Sequence, residues 1–124
     1  IVVLAAPSER PWIAPLLDVD PSIQCPQTSV GQLCAVIAGS QLLICNDSAP
    51  LHIAVGFDRP IVTMFGPTDP KLVGPYGRMD TVIQPADITI EDMARYRRHK
   101  DDPSLIARID IDTVWQRVED ALAV

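Results

Sequence analysis

Within seven positions, Asn46-Asp47-Ser48-Ala49-Pro50-Leu51-His52 places a carboxylate, a hydroxyl and an imidazole around one proline. Ser48 and His52 are four residues apart, so on a helix their side chains share a face and lean toward its N-terminus. The apolar run from Gln41 to Cys45 precedes this stretch and a helical segment, Pro50 to Phe57, follows it, so the stretch reads as a strand-to-helix turn. Asp47 or Ser48 can cap that helix, and Pro50 suits its first turn because it lacks a donor that would go unused there. A helix N-terminus at the carboxyl end of a parallel strand attracts anions, and phosphate is the expected guest, with the His52 imidazole reaching the same pocket. A carboxylate beside phosphate is repulsive without a cation between them. Asp47 therefore either caps the helix or accepts hydrogen bonds from sugar hydroxyls. The same spacing also fits a plain capped helix carrying a satisfied interior histidine.

The elements that must hold this turn come from a chain of 124 residues, enough for one domain with a single core. A hydrophobic content of 48% with 21% charged residues describes a folded protein, and the net charge of −6 argues against a nucleic-acid partner. No apolar stretch approaches the roughly 20 residues of a membrane span, and no signal peptide is visible, so a soluble chain is expected. Cys25, Cys34 and Cys45 are odd in number, widely spaced and set among apolar residues. They are expected to be small buried hydrophobes in a reducing compartment, with neither a disulfide framework nor a metal site. The chain opens at Ile1 directly into an apolar run, which suggests part of a longer polypeptide.

In chain order, Ile1 to Ala5 is expected to form a buried strand, Pro7 to Pro11 the loop leaving it, and Trp12 to Leu17 a short helix. Asp18 to Pro21 breaks that helix, and Ser22 to Cys25 suits a brief strand. Thr28 or Ser29 caps a helix with Val30, Leu33, Cys34, Ile37 and Ala38 on one face, ended by Gly39. Leu42 to Cys45 has no polar face, as expected of a central strand covered on both sides. The helix after the turn closes at Gly56. Pro60 to Phe65 and Thr81 to Ile83 are further strands. Thr89 caps Ile90 to about Arg98, and Asp110 or Asp112 caps a last helix with Val114, Val118, Ala121 and Leu122 on one face and Trp115 beside it.

Strands alternating with helices predict an α/β fold with a Rossmann-like parallel sheet and flanking helices. Ligands bind such sheets outside the carboxyl ends of the strands, where the loops of Ser8 and Glu9, Asp47 to His52, and Gly66 to Asp69 are expected to converge. Gly66-Pro67-Thr68-Asp69-Pro70 also fits a rigid turn. The basic run of Arg95, Arg97, Arg98, His99 and Lys100 lies where a helix C-terminus favours cations, and needs no ligand to explain it.

From Thr28-Ser29 through Gly77 the chain resembles the carboxyl-terminal half of glycosyltransferase family 9, the heptosyltransferases of lipopolysaccharide core synthesis. The resemblance is carried by Asn46-Asp47-Ser48-Ala49-Pro50-Leu51-His52, Pro60-Ile61-Val62, Phe65-Gly66-Pro67-Thr68-Asp69-Pro70 and Gly74-Pro75-Tyr76-Gly77. It implies a B-type glycosyltransferase, with two Rossmann-like domains facing across a cleft and the carboxyl-terminal one holding the nucleotide-sugar donor, usually ADP-heptose. Ser48, Ala49 and Leu51 then look like the turn that holds the donor diphosphate, with His52 beside it. Asp47 matches the acid that approaches the sugar, Glu9 resembles the acid on the nucleoside side, and Thr68 joins the donor-binding set. The implied reaction transfers heptose with inversion to a hydroxyl of an acceptor glycolipid, without cofactor or metal clamp. Its general base lies on the amino-terminal domain, at the cytoplasmic, inner face of the membrane.

Ala49 stands where the family commonly has glycine, which bears on backbone freedom and on close approach to phosphate. Nothing in the sequence corresponds to the acceptor domain or to its base, so this chain alone is expected not to transfer sugar. As a donor-binding domain truncated at its amino-terminal side, residues 1–124 would expose sheet edge or apolar face and self-associate. Two other readings fit the same residues: the nucleotide-sugar half of another B-type enzyme such as an epimerase, and an interaction domain with a vestigial crevice.

Overall fold

The computed structural model describes residues 1–98 and 104–123. The chain forms two compact units, Ile1–Val36 and Ile37–Val124.

In the first unit the expected opening strand is reduced to one parallel bridge between Val2 and Gln24, with Val3 N–H donating to Gln24 O at 2.8 Å. Pro21 and Pro26 bracket the partner segment and deny it further ladder donors, so pairing stops there. Ile1 is 85% exposed, against the expected burial. The loop predicted over Pro7 to Pro11 instead makes a 3₁₀ turn, Pro7–Glu9, that runs into α1 (Arg10–Val19), longer at both ends than the predicted helix. Pro11 sits harmlessly in the first turn, whereas Pro15 removes one internal bond. The next helix, α2 (Val30–Ala38), starts as expected: Gln32 N–H donates to Ser29 Oγ at 3.3 Å, and Ser29 N–H donates to Gln32 Oε1 at 2.9 Å.

The second unit is built on a parallel sheet in the order β1 (Leu43–Asn46), β2 (Ile61–Met64), β3 (Val82–Ile83). Cys45 pairs with Thr63, and Thr63 with Val82. The central strand of the described sheet is β2, in which Ile61, Val62 and Thr63 are all buried. β1 is an edge strand whose Ile44 is 49% exposed, so its unbroken apolar run does not mark burial on both faces. α3 (Ala49–Gly56) packs against β1 and β2 and buries Leu51 and Ala54. α6 (Ile111–Leu122) packs against β2, where Val118 meets Val62 and Ile83, flanked by Val114 and Ala121. Its cap is Asp110, which accepts from Thr113 N–H at 3.0 Å. Leu122 and Trp115, predicted on or beside the buried face, are exposed; the Trp115 indole donates to Glu119 at 3.0 Å.

α3 ends as predicted at Gly56, but its left-handed residue is Asp58, with φ of 54°. Asp58 N–H donates to Val55 O at 3.1 Å and Arg59 N–H to Ala54 O at 2.9 Å, closing the last carbonyls in a Schellman arrangement. Arg78 holds this corner by pairing with the Asp58 carboxylate and donating to Arg59 O at 2.7 Å. Between β2 and β3 lie the single-turn α4 (Pro70–Val73) and a 3₁₀ turn, Met79–Thr81. α5 (Ile90–Arg98) is capped by Thr89, whose N–H and hydroxyl both donate to Asp92 and hold that carboxyl below its ordinary value. His99 and Lys100 of the basic run lie outside the described residues.

Gly74 is required by a close approach: a Cβ there would lie 2.2 Å from Pro70 O, a backbone atom that cannot swing away. At Gly31 nothing lies within 4 Å, and the residue is in α2. Urea unfolding is therefore expected to show Gly74→Ala destabilised by about 2 kcal/mol, as for other backbone clashes. Gly31→Ala is expected to be neutral or stabilised by up to about 0.5 kcal/mol.

Candidate functional site

Because β1, β2 and β3 are parallel and in register, their carboxyl ends share one edge of the second unit. The Asp47–Ser48 turn leaves β1 there, Gly66 to Asp69 follows β2, and Gln84 follows β3. Two of the three loops expected to converge thus meet on one edge. The third, with Ser8 and Glu9, belongs to the first unit. There Glu9 is exposed on the 3₁₀ turn, and its Oε2 accepts from Ala6 N–H at 2.7 Å, while Oε1 has no partner among the described residues.

At the start of α3, Ser48 has the extended backbone of a cap residue, φ −159° and ψ 170°, yet its side chain does not cap. Its Oγ donates back to Asn46 O at 3.2 Å. Asp47 is half-buried and makes no hydrogen bond or ion pair among the described residues, so it does not cap either. Leu51 N–H is taken up by Ser48 O at 3.1 Å, and Pro50 has no donor. The N–H groups of Ser48 and Ala49 have no acceptor among the described residues. The positive end of α3 is therefore open, as an anion requires. Ala49 takes ordinary backbone geometry, since Asp58 is the one non-glycine with positive φ among the described residues. The alanine in place of glycine thus adds no strain, and only its methyl volume bears on a ligand.

His52 is exposed and its imidazole has no hydrogen bond or ion pair among the described residues, so it is not an interior histidine. Leu51, beside it, is fully buried and anchors the turn to the core, so its side chain is not open to a ligand. On the neighbouring loop, Asp69 accepts from Lys71 N–H at 2.9 Å and caps α4. Thr68 is half-buried, and its hydroxyl has no partner among the described residues. It lines a cavity of about 260 Å³ with Pro67, Asp69, Leu72, Val73, Met93 and Tyr96. Sequence reasoning missed Gln84, which donates to Gly66 O at 2.8 Å and Thr68 O at 3.0 Å. Nothing local marks it, because its partners lie 18 and 16 residues away.

The three cysteines are free and half-buried rather than fully buried. Burial pushes the Cys45 thiol up, Thr63 across the ladder offsets this in part, and the charge of Asp47 adds to the rise. Thr63 Oγ1 is fully buried with no partner meeting hydrogen-bond geometry among the described residues, so its help to Cys45 is weak.

The fold has solved counterparts. It superposes on a family 9 glycosyltransferase from Veillonella parvula with a TM-score of 0.76 and 23% identity, over 98% of this chain and 36% of that one. On the Escherichia coli heptosyltransferase WaaC with ADP the TM-score is 0.69, again at 23% identity, over 95% of this chain and 32% of that one. These likenesses define an α/β fold of the B-type glycosyltransferase kind. Residues 7–100 match the sequence profile of glycosyltransferase family 9 (heptosyltransferase), and the chain belongs to that family. Lipopolysaccharide heptosyltransferase 1 of Salmonella typhimurium is 38% identical over 53 residues, 43% of this chain and 17% of that protein. The Escherichia coli enzyme of the same name is 37% identical over 59 residues, 48% of this chain and 18% of that protein. The matched stretch thus spans under a fifth of these relatives' own length.

Alkylation requires thiolate, so a raised Cys45 thiol labels at more alkaline pH than an ordinary one. Iodoacetamide labelling followed by mass spectrometry should give half-maximal rate for Cys45 above that of glutathione. Asp47→Asn should bring it part of the way back; a Cys45 midpoint at or below glutathione's contradicts the assignment.

Proposed function

We propose that this chain is the donor-binding part of an inverting glycosyltransferase that moves heptose from a nucleotide diphosphate, ADP-heptose, to an acceptor hydroxyl. The observation that carries this reading is the uncapped N-terminus of α3 at the carboxyl edge of the parallel sheet, with the Ser48 and Ala49 N–H groups open. Membership of glycosyltransferase family 9 and the likeness to a heptosyltransferase solved with ADP support it.

In the proposed complex the diphosphate lies against the Ser48–Ala49–Leu51 backbone, with the Ser48 hydroxyl and the His52 imidazole beside it. As the glycosidic bond to phosphate breaks, negative charge grows on the leaving diphosphate. Fixed N–H donors and the positive end of a helix stabilise that charge with little reorganisation. Asp47, with no competing partner among the described residues, is the acceptor for sugar hydroxyls. Thr68 supplies a free hydroxyl from the neighbouring loop.

The general base and the acceptor glycolipid belong to an amino-terminal domain, so these 124 residues supply the donor side only and are inactive alone. No metal clamp and no cofactor enter the proposed reaction. The full-length enzyme works in the cytoplasm, at the inner face of the membrane. No helix among the described residues is long and apolar enough to cross a membrane.

Calorimetric titration of the purified chain with ADP, ADP-heptose and UDP-sugars tests this. The expected result is saturable binding of the adenine nucleotides in preference to the uridine ones. His52→Ala is expected to weaken it about tenfold, the scale of one charge-assisted hydrogen bond. No binding, or binding indifferent to His52, would count against the donor-site reading.

A further inference from the structure

The β2–β3 ladder closes where Phe65 N–H donates to Ile83 O at 2.8 Å. At the next residue the side chain takes over from the backbone: Gln84 Nε2 donates to Gly66 O at 2.8 Å and to Thr68 O at 3.0 Å. A carboxamide nitrogen carries two protons, so these two carbonyls use its whole donor capacity. The same loop is tied at its far end by Asp69 as the cap of α4, bonded to Lys71 N–H at 2.9 Å. Between those ties stands Thr68, whose hydroxyl is free among the described residues and lines the 260 Å³ cavity.

We propose that Gln84 is a positioning residue for the donor site, holding the Gly66–Asp69 loop so that the Thr68 hydroxyl stands fixed at the sheet edge. This rests on the donor-site reading of that edge. The chemistry asks for glutamine in particular. Glutamate has the same shape, but it would set a carboxylate against two carbonyl oxygens. Alanine leaves both carbonyls without their donor. Gln84 touches no ligand in this account and acts through Thr68, so its effect must disappear when Thr68 can no longer contribute.

The test uses the purified chain with Gln84→Glu, Gln84→Ala, Thr68→Val and the Gln84→Ala/Thr68→Val double variant. Gln84→Glu keeps the volume and serves where the alanine variant folds poorly. Without ligand, hydrogen exchange at the Lys71, Leu72 and Gly74 amides should quicken about tenfold in the Gln84 variants while the β1 and β2 amides hold their rates. With ADP-heptose as probe, Gln84→Ala should weaken affinity about fivefold, and the double variant should bind no worse than Thr68→Val alone. Unchanged exchange, or losses that multiply in the double variant, would overturn the proposal. A wild-type chain that binds no ADP-heptose overturns the donor-site reading and the role built on it. The exchange data then report separately whether the clamp itself exists.

Discussion

A parallel ladder cannot turn back on itself, so each new strand is reached by a crossover and every strand ends at the same edge. In the second unit that constraint does most of the organising. The register Cys45 to Thr63 to Val82 places the ends of β1, β2 and β3 side by side. The segments that follow them must then begin as neighbours: the α3 turn, the Gly66–Asp69 loop and Gln84. The buried β2 strand supplies the anchorage, with α6 packed against it through Val118 on Val62. α3, packed on β1 and β2 through an almost wholly apolar segment, is held with its N-terminus at that edge.

Electrostatics at long range work against the proposed ligand. A chain of net charge −6 repels a nucleotide diphosphate, and Asp47 adds a carboxylate within the turn itself. Screening confines the repulsion to roughly 8 Å at physiological salt, so recognition must come from groups in direct contact. In the proposed complex the open N–H donors of Ser48 and Ala49 and the exposed His52 are such groups. A side-chain cap at Ser48 would have drawn its hydroxyl onto the Leu51 N–H, which Ser48 O accepts instead. Turning its hydroxyl back to Asn46 O instead satisfies the strand end and leaves the helix end open.

The parts of this fold legible in the sequence are those set by local chemistry. Ser29, Thr89 and Asp110 cap where hydroxyls and carboxylates precede apolar periodicity, and α3 ends at Gly56 as its pattern implies. The errors arise where tertiary context decides. Leu42 to Cys45 has the composition of a strand buried on both faces, yet it forms a sheet edge, because composition reports the tolerance of a strand for burial and not its number of partners. Likewise Asp58, not a glycine, takes the left-handed position after α3, stabilised by Arg78 from a distant loop. Gln84 was invisible for the same reason: a single glutamine after a strand carries no local signal of partners 18 and 16 residues back.

The substitution of alanine for the expected glycine shows how structure narrows a sequence-level concern. Two separate demands make glycine necessary in a phosphate turn: a positive φ, or a backbone approach too close for a methyl group. The first does not apply, because Ala49 has ordinary geometry and opens a regular helix. The second concerns one methyl group on an exposed residue. Chain geometry therefore leaves the open N–H donors of α3 intact. The change acts, if a diphosphate sits there, only through the distance at which its oxygens meet the Ala49 N–H.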